Sequence, residues 1–253
     1  MMDFLVLALA AFLAGFVDAV VGGGGLIQLP ALFSVLPNMA PATLLGTSKL
    51  AGIWGTSVAA MNYMRAVRLQ WSVVLPAALA AFIFAFAGAF TVTHLPPTYL
   101  RMALPFILAA VAVYTFMRKD LGTYHTPIYK GDKERAMAML VAAGIGFYDG
   151  FFGPGTGSFF IFLFVRLFGY DFLRASAVAK VLNVACNAAA LLWFGYSGHI
   201  IWQVGLAMAV CGIGGSLAGS RLAIRHGSGF VRQMFLIVVS CLILKTAYDA
   251  FFK

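Results

Sequence analysis

Lys49 and Lys180 are the residues whose type and setting most demand a chemical explanation. Each lies inside an apolar stretch, Lys49 in GTSKLAGIWGTS and Lys180 in SAVAKVLNVACN, and the two are 131 residues apart. An ammonium group within a hydrocarbon layer costs on the order of several kcal/mol, and residues that bear this cost mark transport pathways or ion pairs. Thr47, Ser48 and Thr56 accompany Lys49, and Ser176, Asn183 and Asn187 accompany Lys180. Lys180, Asn183 and Asn187 recur at i, i+3 and i+7, which puts a cation and two amides on one helical face. A cation ringed by neutral donors is chemistry for a small anion. The plainer alternatives are snorkelling, for a lysine about seven residues into its helix, and hydrogen bonding between helices for the polar faces. Recurrence of the lysine at a matched position weakens the first of these.

A second constellation accompanies the lysines. Gly15–Pro30 reads GFVDAVVGGGGLIQLP, and Gly146–Ile161 reads GFYDGFFGPGTGSFFI, again offset by 131 residues. Each copy carries one carboxylate, Asp18 or Asp149, one turn before a glycine cluster. Glycine costs a helix about 1 kcal/mol relative to alanine, so Gly22, Gly23, Gly24 and Gly25 should unwind the chain, as should Gly153, Gly155 and Gly157 around Thr156. An unwound segment frees N–H groups and exposes the N-terminus of the next helix, both favourable to an anion. Glycines can instead serve close helix packing, the expectation for Gly212, Gly215 and Gly219. The carboxylates sit near the negative end of a helix and need a proton or a partner there. They are either structural ion pairs or proton-coupling groups.

The elements that must position these groups follow from composition. The 253 residues are 62% hydrophobic and only 10% charged, against about 25% charged in soluble domains. Apolar runs of about 20 residues match a helix crossing a ~30 Å hydrocarbon core. No alternating ten-residue pattern of a barrel is present. The fold class is therefore all-α, a polytopic transmembrane helical protein. The net charge of +9 reflects loop orientation rather than nucleic-acid binding. Cys186, Cys211 and Cys241 lie in apolar runs without paired spacing, and His94, His125, His199 and His226 lie in or near loops. No disulfide, metal site or cofactor is expected. With no Walker loop, HExxH or nucleophile elbow, no catalytic residues are assigned and an enzyme is not expected. The N-terminal segment lacks a basic flank and runs into the repeat, so it is read as retained.

The offset persists along the chain, pairing Trp71 with Trp202, Gly88 with Gly219 and Arg101 with Arg232, the mark of duplication. Repeat 1 (1–117) has arms at about 3–21 and 26–36, then helices at 42–63, 71–93 and 98–117. A linker, 118–133, follows. Repeat 2 (134–253) has arms at 134–152 and 158–168, then helices at 172–194, 199–224 and 229–252. If the broken pair is one crossing, the copies are parallel and the loop cations split nine to six. If the arms form a hairpin, the copies are inverted and the split is twelve to three. The second matches the positive-inside rule. The expectation is two inverted-topology repeats, each with a glycine-broken first helix pair plus three spanning helices. The linker is then cytoplasmic and both termini periplasmic.

GFVDAVVGGGGLIQLPAL, followed by GTSK and later by GFYDGFFGPGTGSF, resembles the sulfite exporter TauE/SafE family across essentially the whole chain. The resemblance implies a bacterial inner-membrane permease for small sulfur-containing anions such as sulfite or organosulfonates, usually outward. The family's first glycine motif falls on Gly22–Gly25 with Pro30, its second on Gly153, Gly155 and Gly157. Copy two departs from copy one at Pro154 and Thr156, and Ile161 replaces the matched Pro30, so the half-sites are unequal. The expected function is a secondary transporter of a small oxyanion, an exporter with proton coupling through Asp18 and Asp149. Its partners are the anion and the lipid bilayer, with a homodimer left open and no nucleic acid. A cation or metal permease using Asp18 and Asp149, or a non-transporting membrane subunit, are the alternatives.

Overall fold

A computed structural model describes residues 2–96, 98 and 128–252. The expected helix at 98–117, apart from residue 98, and the linker residues 118–127 lie outside the described residues. The rest is helical, with no strand among the described residues. Helix α1 (Met2–Val21) ends where Gly22 takes φ +82°, and the Gly22 N–H closes the last turn on the Asp18 carbonyl at 2.8 Å. α2 (Gly25–Val35) carries Pro30 in its interior. α3 (Pro41–Ala66) starts on proline, whose missing N–H costs nothing in a first turn. α4 is Trp71–Thr93, and α5 is Asp132–Phe151. α6 (Thr156–Phe168) is bracketed by the left-handed glycines Gly155 and Gly169, and α7 (Phe172–Tyr196) is capped by Asp171, whose carboxylate accepts from the Arg174 N–H. α8 (Trp202–Phe252) is interrupted at Gly227, φ 72° and ψ −167°.

Among the described residues, four segments are long and apolar enough to cross a bilayer: Asp3–Val21, Trp71–Thr93, Phe172–Tyr196 and Trp202–Gly227. α3 has the length, 26 residues, but Thr47, Ser48, Lys49, Asn62 and Arg65 make it more polar. α2 and α6 are short, 11 and 13 residues, below the ~20 that a straight crossing requires.

Small residues set how the helices meet. A Cβ on Gly219 would lie 2.5 Å from the Phe16 carbonyl, and one on Gly215 would collide with that of Phe12, so α1 and α8 touch backbone to backbone. The same holds for α4 and α5, where a Cβ on Gly146 would lie 2.6 Å from the Ala81 carbonyl and Gly88 abuts Phe147. Phe16 and Phe147, like Gly88 and Gly219, are matched by the 131-residue offset. α1 thus docks on α8, and α5 on α4. Close approach of this kind replaces the hydrophobic drive that lipid cannot supply.

The succession of contacts along the helices gives their directions. Phe12 and Phe16 meet Gly215 and Gly219, so α1 and the first half of α8 run the same way. α3 joins them, with Thr47 bonded to Ile201 and Asn62 to Ser220. α7 opposes α3: Thr43 bonds His199, while Thr56 and Lys180 share one Asp18 oxygen. α4 and α5 run with α7, as the contacts Cys186 to Ala81 and Trp193 to Thr93 require. α2 folds back toward the start of α1, and Leu32 joins Leu7 and Ala11 in one buried cluster. α6 likewise returns toward the start of α5, where Tyr170 bonds Glu134 and Ile128 bonds Phe168.

Boundaries differ modestly from expectation. α5 begins at Asp132 rather than 134, because Asp132 and Glu134 suit the positive end of a helix. The start expected at His199 is delayed to Trp202, since Gly198 (φ 73°) turns the chain and the His199 N–H bonds back to Phe194. The gap expected between 224 and 229 narrows to the single kink at Gly227.

Candidate functional site

Both glycine clusters break the helix as their composition demands, and the two breaks meet. Gly22 and Gly153, a matched pair, both take positive φ, +82° and +90°. A Cβ on Gly157 would sit 2.6 Å from Gly22 Cα, so only glycine permits the crossing. Ser158 fastens it: its N–H donates to the Gly22 carbonyl at 3.0 Å and its hydroxyl to the Val21 carbonyl at 2.8 Å. The N–H groups of Gly23, Gly24 and Gly25 find no hydrogen-bond partner among the described residues, leaving free donors at the start of α2.

The charged groups pair across the copies and reciprocally. Lys49 donates to the Asp149 carboxylate, and its ammonium lies beside Gly153. Lys180 donates to the Asp18 carbonyl and, at 3.1 Å, to the Asp18 carboxylate, which also accepts from the Thr56 hydroxyl at 3.2 Å. Each carboxylate at the foot of one copy's first helix thus neutralises the lysine of the other copy. The four groups carry no net charge, where the lysines alone suggested a cationic pocket. Removing a charge from water is compensated here by a partner and added hydrogen bonds.

A cavity of about 60 Å³ lies beside one of these pairs. A water centre needs ~10–15 Å³, so the space suits a few waters or one small ion. Asp18, Gly22, Gly24, Gly25, Ser48, Lys49, Asp149, Gly153, Gly155, Gly157, Asn183 and Asn187 all border it. Lys180 does not; it is 0% exposed and its ammonium ends on Asp18. The two pairs are therefore unequal, Lys49 at a cavity and Lys180 shut away.

Three more expected site residues stand off the cavity wall. Thr47 donates to the Thr43 carbonyl at 2.7 Å and accepts from the Ile201 N–H at 3.0 Å, tying α3 to the start of α8. Thr156 donates to the Gly153 carbonyl at 2.7 Å and stiffens the second break. Gly23 lies behind Gly22 and Gly24 and does not border the cavity. Of the residues expected only to pack, Gly215 and Gly219 do so. Gln28, Gly52, Gly55 and Ser216 border the cavity without having been singled out. Gln28 carried a signal, since it is the one amide in an otherwise apolar arm. Ser216 lies in a small-residue stripe indistinguishable from packing until α8 is placed against α1.

Comparison with known proteins identifies the family. The profile of the family described as sulfite exporter TauE/SafE matches residues 7–246. The chain is 36% identical over 248 residues to the "probable membrane transporter protein ORF9" of Sinorhizobium sp, covering 96% of this chain and 92% of that one. It is 35% identical over 250 residues to the "probable membrane transporter protein YfcA" of Escherichia coli K12, covering 97% and 90%. A "probable membrane transporter protein" of Haemophilus influenzae is 33% identical over 252 residues, covering 96% and 94%. No solved structure matches the chain. The chain belongs to the sulfite exporter TauE/SafE family and is a multi-pass membrane transporter.

Proposed function

We propose that this member of the TauE/SafE family is a secondary transporter of a small oxyanion, sulfur-containing as in sulfite or an organosulfonate, and that it exports its substrate. The observation that carries the reading is the Lys49–Asp149 pair at the edge of a small cavity. Around it stand Ser48, Asn183, Asn187 and the free N–H groups of the first glycine break, all neutral donors. Proton coupling follows from the pairing. Protonating Asp149 releases Lys49, and the freed ammonium attracts the anion; loss of the proton re-forms the pair and expels it. Asp18 and Lys180 perform the same exchange in the other copy when the halves trade conformations. A cation permease would need carboxylates open to the ion, and both accept from lysines here.

The same reading assigns two inverted repeats in a bacterial inner membrane. In its support, the helices matched by the repeat run in opposite directions and the short arms fold back as hairpins. Arg68, Lys130 and Arg174 gather at one end, the cytoplasmic one by the positive-inside rule, which puts the termini in the periplasm. Flux of labelled anions into proteoliposomes, with and without a pH gradient, tests the proposal. Sulfite should move faster than chloride or a sugar, and Lys49→Ala should lower its flux at least tenfold. Equal flux in wild type and Lys49→Ala would sink it.

A further inference from the structure

The basic end of the molecule holds a second cavity, of about 300 Å³, remote from the glycine crossing. Three separate segments bring a cation to it: Arg68 from the turn between α3 and α4, Lys130 from just before α5, and Arg174 from the first turn of α7. Two carboxylates lie nearby, Glu134 on the cavity wall and Asp171 beside Arg174, and the three cations outnumber them. Glu134, 4% exposed, accepts from the Tyr170 hydroxyl at 2.6 Å, and Asp171 caps α7 and pairs with Arg174 at 3.5 Å. Two guanidinium groups and an ammonium thus converge on a concave space whose low-dielectric walls concentrate their field.

We propose that this cavity is a second anion site, recognising a tetrahedral or pyramidal oxyanion group through Arg68, Lys130 and Arg174. Guanidinium forks suit such groups. The group comes either from a small oxyanion in solution or from the phosphate of an anionic phospholipid, which basic groups at a membrane surface attract. Val178, which lines the cavity, shares α7 with Lys180 but, two residues away, faces a different side, so this cavity is separate from the Lys180–Asp18 pair.

The test uses purified full-length protein in neutral detergent and three variants: Lys49→Ala, Arg68→Gln/Lys130→Gln, and all three together. Arg68 and Lys130 are exposed, so their replacement leaves the packing intact. Equilibrium dialysis with radiolabelled sulfite reads the solution source. Retention of phosphatidylglycerol against phosphatidylcholine from mixed vesicles, by native mass spectrometry, reads the lipid source. The expected result is that Lys49→Ala protein still binds sulfite and that adding Arg68→Gln/Lys130→Gln weakens this at least tenfold, a factor equal to about 1.4 kcal/mol. Selective loss of phosphatidylglycerol in the paired variant, with sulfite binding unmoved, also upholds the site and assigns it to lipid. If Arg68→Gln/Lys130→Gln changes neither sulfite affinity nor phosphatidylglycerol retention, the site does not exist. This holds whatever Lys49→Ala does, because that substitution reports only on the central cavity.

Discussion

Replacing Asp18 with asparagine isolates the pair that holds the fully buried Lys180. Lys180 is 0% exposed and its ammonium lies 3.1 Å from the Asp18 carboxylate. At an effective dielectric constant of ~20 that separation gives an attraction of about 5 kcal/mol. Desolvation of both ions offsets much of it, so the intact pair adds little net stability. Breaking it is different. Asp18→Asn leaves a buried ammonium facing an amide and a backbone carbonyl, and should destabilise the protein by about 3–5 kcal/mol. Lys180→Met alone should cost a similar amount by stranding the carboxylate. The double variant Asp18→Asn/Lys180→Met removes both charges and should recover most of the loss, leaving a coupling energy of at least ~2 kcal/mol. Equilibrium unfolding of wild type and the three variants in detergent supplies the cycle. Additive losses, with the double variant weaker than either single one, would refute the claim that these charges exist for each other. Transport adds a second readout: Asp18→Asn should retain some flux that no longer responds to a pH gradient, and full coupling in that variant would dismiss Asp18 as a proton carrier.

Other substitutions test other parts of the structure. Gly22→Ala should prevent stable folding, because a Cβ there strikes Gly157 and the position needs φ +82°; a monodisperse, thermally normal Gly22→Ala protein would contradict the crossing. Gly52→Ala is the control, a helical glycine with nothing within 4 Å of its Cβ, and should gain up to ~1 kcal/mol while narrowing the cavity and slowing larger anions in a flux panel. Ser158→Ala removes one buried hydrogen bond to the Val21 carbonyl and should cost about 1 kcal/mol, measured by the same unfolding curves. Burial and the Glu134 carboxylate hold the Tyr170 hydroxyl above its ordinary value. The native state then keeps a proton that the unfolded chain releases above pH ~10. Stability from this group is complete below that pH and falls as pH rises past it, so Tyr170→Phe should flatten the alkaline limb of a stability profile.

Much of the architecture was legible in residue types. Charge scarcity and 20-residue apolar runs required membrane helices. Glycine, which has no Cβ to restrain it, marked both breaks, and the 131-residue offset pairs Gly22 with Gly153, both at positive φ. Asp18, Asp149, Lys49 and Lys180 stood out because buried charge is costly wherever it occurs. What spacing could not supply was who neutralises whom. Lys49 and Asp149 are 100 residues apart in the chain, and only the packing of the helices brings them together. The packing around each pair also decided that Lys49 borders a cavity while Lys180 is fully enclosed, and that Thr47 ties α3 to α8 instead of facing the cavity. Sequence determines which groups must find partners, because desolvation is a property of the group. Tertiary structure decides which partner it finds, because a charge is satisfied only across a few ångströms of real space.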